Sequence, residues 1–149
     1  MPRYRRARIG VKGLTFCGDR LLLLRRSDDL DLHVSVLGLP GGSVEVGDRL
    51  EESLVREVRK ETGCSIRVRR PVHAWMNRAT LRSVRSFTGV SICFECRTPS
   101  VRSPRLDLTE HREAGWVSRR HLPRYRLRPN QLVAIRKAFA TRQISVHRG

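Results

Sequence analysis

An α/β layered domain with a mixed sheet is the fold that the sequence predicts, and three observations carry it. Strand-like alternation recurs in "RIGVKGLTF", "CSIRVRRPVHAWM" and "RSFTGVSICFEC". Between the first of these and the second, Leu50, Leu54 and Val58 recur every four residues and mark a helix. A last helix starts near Pro129 and places Leu132, Ile135 and Phe139 on one face. The 149 residues contain no internal repeat, no low-complexity segment and no linker. Positions 1–149 therefore read as one domain, long enough to bury a core.

Taken in order, "RIGVKGLTF", Cys17-Gly18-Asp19 and "RLLLLRR" form a β-hairpin with a glycine in its turn. "SDDLDLHVS" is polar and reads as a loop, and a short strand near "VLGLP" leads into Gly41-Gly42. The helix that follows closes at Gly63, which serves as its C-cap. Two longer strands come next, then a loop rich in proline and serine over "RTPSVRSPRLDLTEH". "EAGWVS" supplies one more short strand before the last helix.

Composition narrows the function classes. The apolar run Leu21 to Leu24 is far too short to span a bilayer. No signal-peptide core follows the basic N-terminus. A soluble, cytoplasmic protein without a membrane partner is expected. The four cysteines do not form a secreted disulfide framework. Cys93 and Cys96 are spaced as C-x-x-C, but on a strand residues three apart point to opposite faces, so free reduced thiols are expected.

The formal charge is +17, and because Lys12, Lys60 and Lys137 are the only lysines, arginine carries nearly all of it. Ten of the fourteen acidic residues lie between Asp19 and Glu61, and none lies between Cys64 and Phe94 or after Ala114. Arginine-rich flanks attract phosphate-bearing partners, whether or not genome composition is their origin. An acidic centre framed by such flanks is what a divalent metal bridging to phosphates requires.

The chemistry concentrates in "LPGGSVEVGDRLEESLVREVRKETGC", Leu39 to Cys64. Glu57 and Glu61 are four apart on a helix and project from one face. Like charges at that spacing repel, so the pair is either a solvated acidic face or a cation site. Magnesium suits the second reading, because it is hard and takes a few carboxylates together with substrate phosphates. Gly41-Gly42 lets backbone approach a ligand closely.

This segment resembles the box of the Nudix hydrolase family, G-x5-E-x7-R-E-U-x-E-E-x-G-U, where U is a bulky aliphatic. Gly42 matches the first glycine, Arg56-Glu57-Val58 the R-E-U core, Glu61 the second glutamate of the pair and Gly63 the last glycine, all without insertion. "LPGGSVEVGD" and "EHREAGWVS" resemble what flanks the box, so the similarity runs from about Ile9 to Phe139. The resemblance implies an α/β/α sandwich. It also implies Mg²⁺, or Mn²⁺ in its place, held by Glu57, Glu61 and the Gly41 carbonyl. By the same resemblance Arg56 positions the glutamates, and a late carboxylate completes the site or acts as base. Glu113 is the candidate for that carboxylate and Glu110 the reserve. Three positions depart from the pattern: Asp48 replaces a glutamate, Cys64 fills the final aliphatic position, and Lys60 stands where the first glutamate of the pair belongs.

The implied activity is metal-assisted attack of water on a diphosphate linkage in a nucleoside diphosphate linked to a further group. Arg25 and Arg26, at the end of the second strand, are candidate phosphate contacts. Trp75, Phe87, Trp116 and Tyr125 are candidates to stack on a base, against the plainer role of core residues. The five histidines show no metal-ligand spacing. Lys60 and the net charge keep two alternatives open. One is a nucleotide- or RNA-binding module with weak or no hydrolysis, and the other is a hydrolase that processes RNA 5′ ends. The sequence does not fix the oligomeric state.

Overall fold

The computed structural model describes residues 7–25, 36–81, 84–99 and 114–146. The expected loop 27–35, most of the proline- and serine-rich loop, Arg26, Glu110 and Glu113 lie outside these residues. So does the side chain of Phe87.

Eight strands form one mixed sheet in the order β5-β6-β1-β2-β3-β8, with β4 paired to β1 and β7 to β2. They are β1 (Ala7–Cys17), β2 (Arg20–Arg25), β3 (Val36–Gly38), β4 (Gly41–Ser43), β5 (Arg67–Leu81), β6 (Val84–Arg97), β7 (Ala114–Ser118) and β8 (Arg126–Leu127). The helices are α1 (Leu50–Thr62) and α2 (Pro129–Val146). β1 and β6 run parallel, as do β3 and β8, while the other pairs are antiparallel.

β1 organises the sheet. β6 follows one of its edges from Ala7 to Phe16. β4 and β2 take the other edge in turn, at Gly10–Lys12 and at Phe16–Cys17. The hairpin turn is where the sequence places it, with Gly18 at φ 60°. The short strand expected near "VLGLP" is β3, but Gly41-Gly42 is itself paired to β1 as β4 and does not simply follow a strand.

Alternation along β1 divides its side chains between two apolar layers. Leu14 and Phe16 pack with Leu21, Leu23, Leu37, Leu39 and Cys93 under Ala134, Ile135 and Ala138 of α2. Val11 packs on the other face with Leu22, Phe94 and Cys96 under Leu54 and Val58 of α1. Each fully buried leucine or valine contributes ~1.5–3 kcal/mol by leaving water. Cys93 and Cys96 fall into opposite layers as free thiols, as their spacing predicts. Burial pushes the Cys93 thiol up to about 12.

α1 ends at Gly63, whose φ of 74° favours glycine and whose N–H bonds Arg59 O at 2.8 Å. No side-chain cap opens the helix, but Glu51 and Glu52 in the first turn favour its positive end. On α2 the buried face is Gln131, Ala134, Ile135 and Ala138, with Phe139 packed against it. Leu132, expected on that face, is only half-buried, because the small alanines bring the helix close along a line turned away from it.

Among the described strands β5 pairs only with β6, and that edge position tolerates both Pro71 and the register shifts around Arg70 and Pro71. Glu95 on β6 is buried beside Arg70 Nε at 3.0 Å and Arg142 Nε at 3.9 Å. The Arg142 guanidinium also lies 4.1 Å over the Phe16 ring, which fastens α2 to the sheet.

Candidate active site

The three residues of β4 join two separate groups of side chains. Gly41 and Gly42 meet the carboxylates of α1, while Ser43 lines a cleft on the α2 side of the sheet.

On the α1 side, Gly41 N–H donates to Glu61 Oε1 at 3.1 Å. Gly42 lies directly against Glu57, so that a Cβ at position 42 would fall 2.6 Å from the Glu57 carboxyl carbon. At position 41 a Cβ would fall 1.9 Å from Val11 O. Both glycines are required by close approach, Gly42 to the Glu57 carboxylate and Gly41 to the β1 backbone. The geometry thus brings together Gly41, Glu57 and Glu61, three of the residues that the sequence singles out.

Arg56 turns to Asp48, with Nη2 donating to Oδ2 at 2.7 Å. Ser53 Oγ donates to the same oxygen at 3.4 Å. The Arg56 hydrogen bond holds the Asp48 carboxyl below its ordinary range, and Asp48 in turn raises Arg56, with weaker help from Glu45 and Glu57. The shortened acid at position 48 therefore works as the anchor of Arg56. Lys60 is exposed and takes part in none of the ion pairs found among the described residues. Arg25 is half-buried at the end of β2, where it pairs with Leu37, and is not among the described residues of the cleft. No group of three or more His, Cys, Asp or Glu side chains comes together among the described residues.

The cleft on the α2 side has a volume of about 580 Å³. Its wall includes Lys12, Trp75, Asn77, Ser91, Arg128 and Gln131. Trp75, Trp116 and Tyr125 all pack partly against the core layers, and of these three Trp75 also lines the cleft. Sequence reasoning missed Asn77, Ser91 and Gln131. For Gln131 a signal was present, because a glutamine three and four residues before Ala134 and Ile135 stands on the buried face of α2.

A family model described as NUDIX domain matches residues 5–138. An ADP-ribose pyrophosphatase from Methanocaldococcus jannaschii is 36% identical over 55 residues, which are 37% of this chain and 31% of that protein's length. A MutT protein from Methanosarcina mazei Go1 superposes with a TM-score of 0.64 at 25% identity, covering 92% of this chain and 96% of that one. A MutT NUDIX hydrolase from Burkholderia pseudomallei gives 0.68 at 20% identity, with 89% and 98% covered. The family match over nearly the whole chain, on a mixed sheet held between α1 and α2, makes this protein a member of the Nudix hydrolase family.

Proposed function

We propose that the protein is a Mg²⁺-dependent pyrophosphohydrolase that cleaves the diphosphate linkage of a nucleoside diphosphate joined to a further group. The observation that carries this reading is β4, which sets the carboxylates of Glu57 and Glu61 back to back with the cleft. The donor set fits the ion: two carboxylates approach the glycine pair of β4, and hard oxygen ligands are what Mg²⁺ takes. In this reading Glu57, Glu61 and the Gly41 carbonyl hold Mg²⁺, and Mn²⁺ can replace it. When bound there, the ion polarises a phosphoryl oxygen and lowers the pKa of the attacking water.

The chain's own residues do the rest. Gly41 N–H orients Glu61, and the contact with Gly42 fixes Glu57. Arg56, braced on Asp48, holds positive charge beside Glu57. Glu113 is the proposed late base, with Glu110 in reserve. Lys12 and Arg128 in the cleft wall stabilise negative charge that builds on the leaving phosphate. Arg25 and Arg26 remain candidate phosphate contacts.

The test is a panel of nucleoside triphosphates, dinucleoside polyphosphates, nucleotide sugars and capped RNA, each with and without Mg²⁺ or Mn²⁺. Metal-dependent turnover of at least one class is expected. Binding without turnover across the whole panel would favour the binding-module reading instead.

A second reading, action on RNA 5′ ends, draws support from exposed arginines of the C-terminal part, of which Arg128 lines the cleft. Between Ala114 and Val146 there is no acidic residue, and Arg119, Arg120, Arg124, Arg126, Arg128 and Arg136 are all exposed. If this surface carries an RNA chain, affinity for RNA falls steeply with added salt, whereas a free nucleotide responds more weakly. Equal salt slopes for RNA and mononucleotide would remove it.

A further inference from the structure

Three polar side chains on the cleft wall, Gln131, Asn77 and Ser91, are held in one sense. The Leu39 N–H donates to Gln131 Oε1 at 2.9 Å across 92 positions of sequence. A main-chain N–H bonds only the oxygen end of an amide, so the orientation of this amide is fixed by chemistry. Gln131 is 4% exposed and still lines the cleft. What remains for a ligand is its Nε2, which carries two N–H donors.

The strand side repeats the pattern. Trp75 Nε1–H donates to Asn77 Oδ1 at 2.9 Å, and Asn77 Nδ2 donates to Ser91 Oγ at 2.6 Å. Ser91, 6% exposed, therefore accepts from Asn77 and keeps its O–H to donate. His73 stacks on Trp75 with ring centroids 5.5 Å apart, and Lys137 Nζ lies 3.0 Å from His73 Nδ1, so the indole is braced from α2. The cations of the wall add N–H donors, and none of the described lining residues is acidic. A flat apolar ring beside a wall of donors, two of them on side chains more than nine-tenths buried, is a built recognition surface.

We infer that this cleft reads the base of the substrate nucleotide. It selects a base with an oxo group at purine C6 or pyrimidine C4 (guanine, uracil) over one with an amine at that position (adenine, cytosine). The physical ground is asymmetry. An oxo group meets Gln131 Nε2–H or Ser91 O–H with a bond, whereas an amine sets donor against donor and leaves both buried and unpaired. The inference rests on the nucleotide-hydrolase reading above and adds the base class to it. A phosphate is also acceptor-only, but phosphate recognition does not depend on the base.

Calorimetric titration of GDP, UDP, ADP and CDP into the full chain tests the inference. GDP and UDP are expected to bind about tenfold more tightly than ADP and CDP. Gln131→Glu keeps an oxygen for the Leu39 N–H and exchanges the two donors for an acceptor, so it should collapse or invert that ratio. Ser91→Ala, which touches no main-chain bond, should narrow it; this variant is decisive if thermal melting shows Gln131→Glu to be unfolded. Equal affinities for all four nucleotides, weakened alike in the variants, would assign the donors to phosphate and overturn base selection while leaving the nucleotide reading intact. Tighter binding of ADP or CDP overturns it as well. Binding of none of the four removes both readings.

Discussion

The two faces of the sheet solve the placement of polar groups in different ways. On the α1 face, carboxylates stand at a partly open helix surface and are held by main chain: an N–H of Gly41 and the bare Cα of Gly42. On the α2 face, the Gln131 amide and the Ser91 hydroxyl are buried and held by partners from other elements, Leu39 and Asn77. The first arrangement keeps negative charge accessible to a cation and to water. The second fixes hydrogen-bond polarity, which a solvent-exposed amide does not do. The α1 face thus leaves its carboxylates open to solvent, the α2 face buries an amide and a hydroxyl, and β4 joins the two.

The sharpest way to separate these faces is to remove charge from the first. Glu57→Gln and Glu61→Gln keep shape and lose one negative charge each. Hydrolysis of an accepted substrate should fall at least ~10²-fold for either variant at saturating Mg²⁺. Nucleoside diphosphate affinity measured without metal should barely change, because the cleft is untouched. Near-wild-type rates in both variants would remove this assignment of the site.

The double glycine offers a comparison within β4 itself. At position 41 an added methyl runs into the backbone of β1, which does not yield easily, so Gly41→Ala should cost ~1–3 kcal/mol in denaturant unfolding. At position 42 the methyl meets only the end of the Glu57 side chain. Gly42→Ala should therefore melt close to the wild type and yet lose activity as Glu57 is displaced. If both variants lost stability equally, the contact between Gly42 and Glu57 would be a packing contact rather than a positioning one.

Lys60 tests how far the α1 face departs from its family. It is exposed one residue before Glu61, and its charge opposes a cation nearby. Lys60→Glu adds a hard ligand and should lower the Mg²⁺ needed for half-maximal activity by ~10-fold. Activity that appears only in this variant would mean the natural protein is a binding module. Loss of activity at every Mg²⁺ level would mean instead that Lys60 contacts substrate phosphate.

The two faces also differ in how far the sequence discloses them. Helix α1, its glycine cap and the Glu57/Glu61 pair depend on contacts within a few residues, and periodicity and spacing report such contacts directly. The opposite-facing Cys93 and Cys96 follow from strand alternation alone. Gly41-Gly42 was visible as a place of close approach, but its pairing to β1 as β4 was not, because three residues carry no period. The cleft was invisible for a stronger physical reason. Gln131 meets Leu39 across 92 positions and Asn77 meets Ser91 across 14, and neither separation leaves a periodic trace. The pairing of Arg56 with Asp48 was not legible, because eight positions separate them and Asp48 had looked like a departure. Glu95 with Arg70 and Arg142 escaped notice because a lone acid on a strand gives no sign that it is buried.

The smallest expected effect concerns that Asp48–Arg56 pair, which braces the α1 face at its outer edge. Arg56 depresses the Asp48 pKa below its ordinary 3.8, so the folded chain binds this proton less readily than the unfolded one. The stabilisation is fully present above about 3.8 and is lost as pH falls through the lowered folded value. Asp48→Asn removes the charge and with it this dependence. Wild type and variant should thus differ slightly in melting temperature at neutral pH and converge in strong acid. The pair is solvent-screened, so the neutral-pH gap should also shrink with added salt. A gap between wild type and Asp48→Asn that widened toward acid would reverse the sign of the linkage, and the brace would then lie elsewhere than in this ion pair.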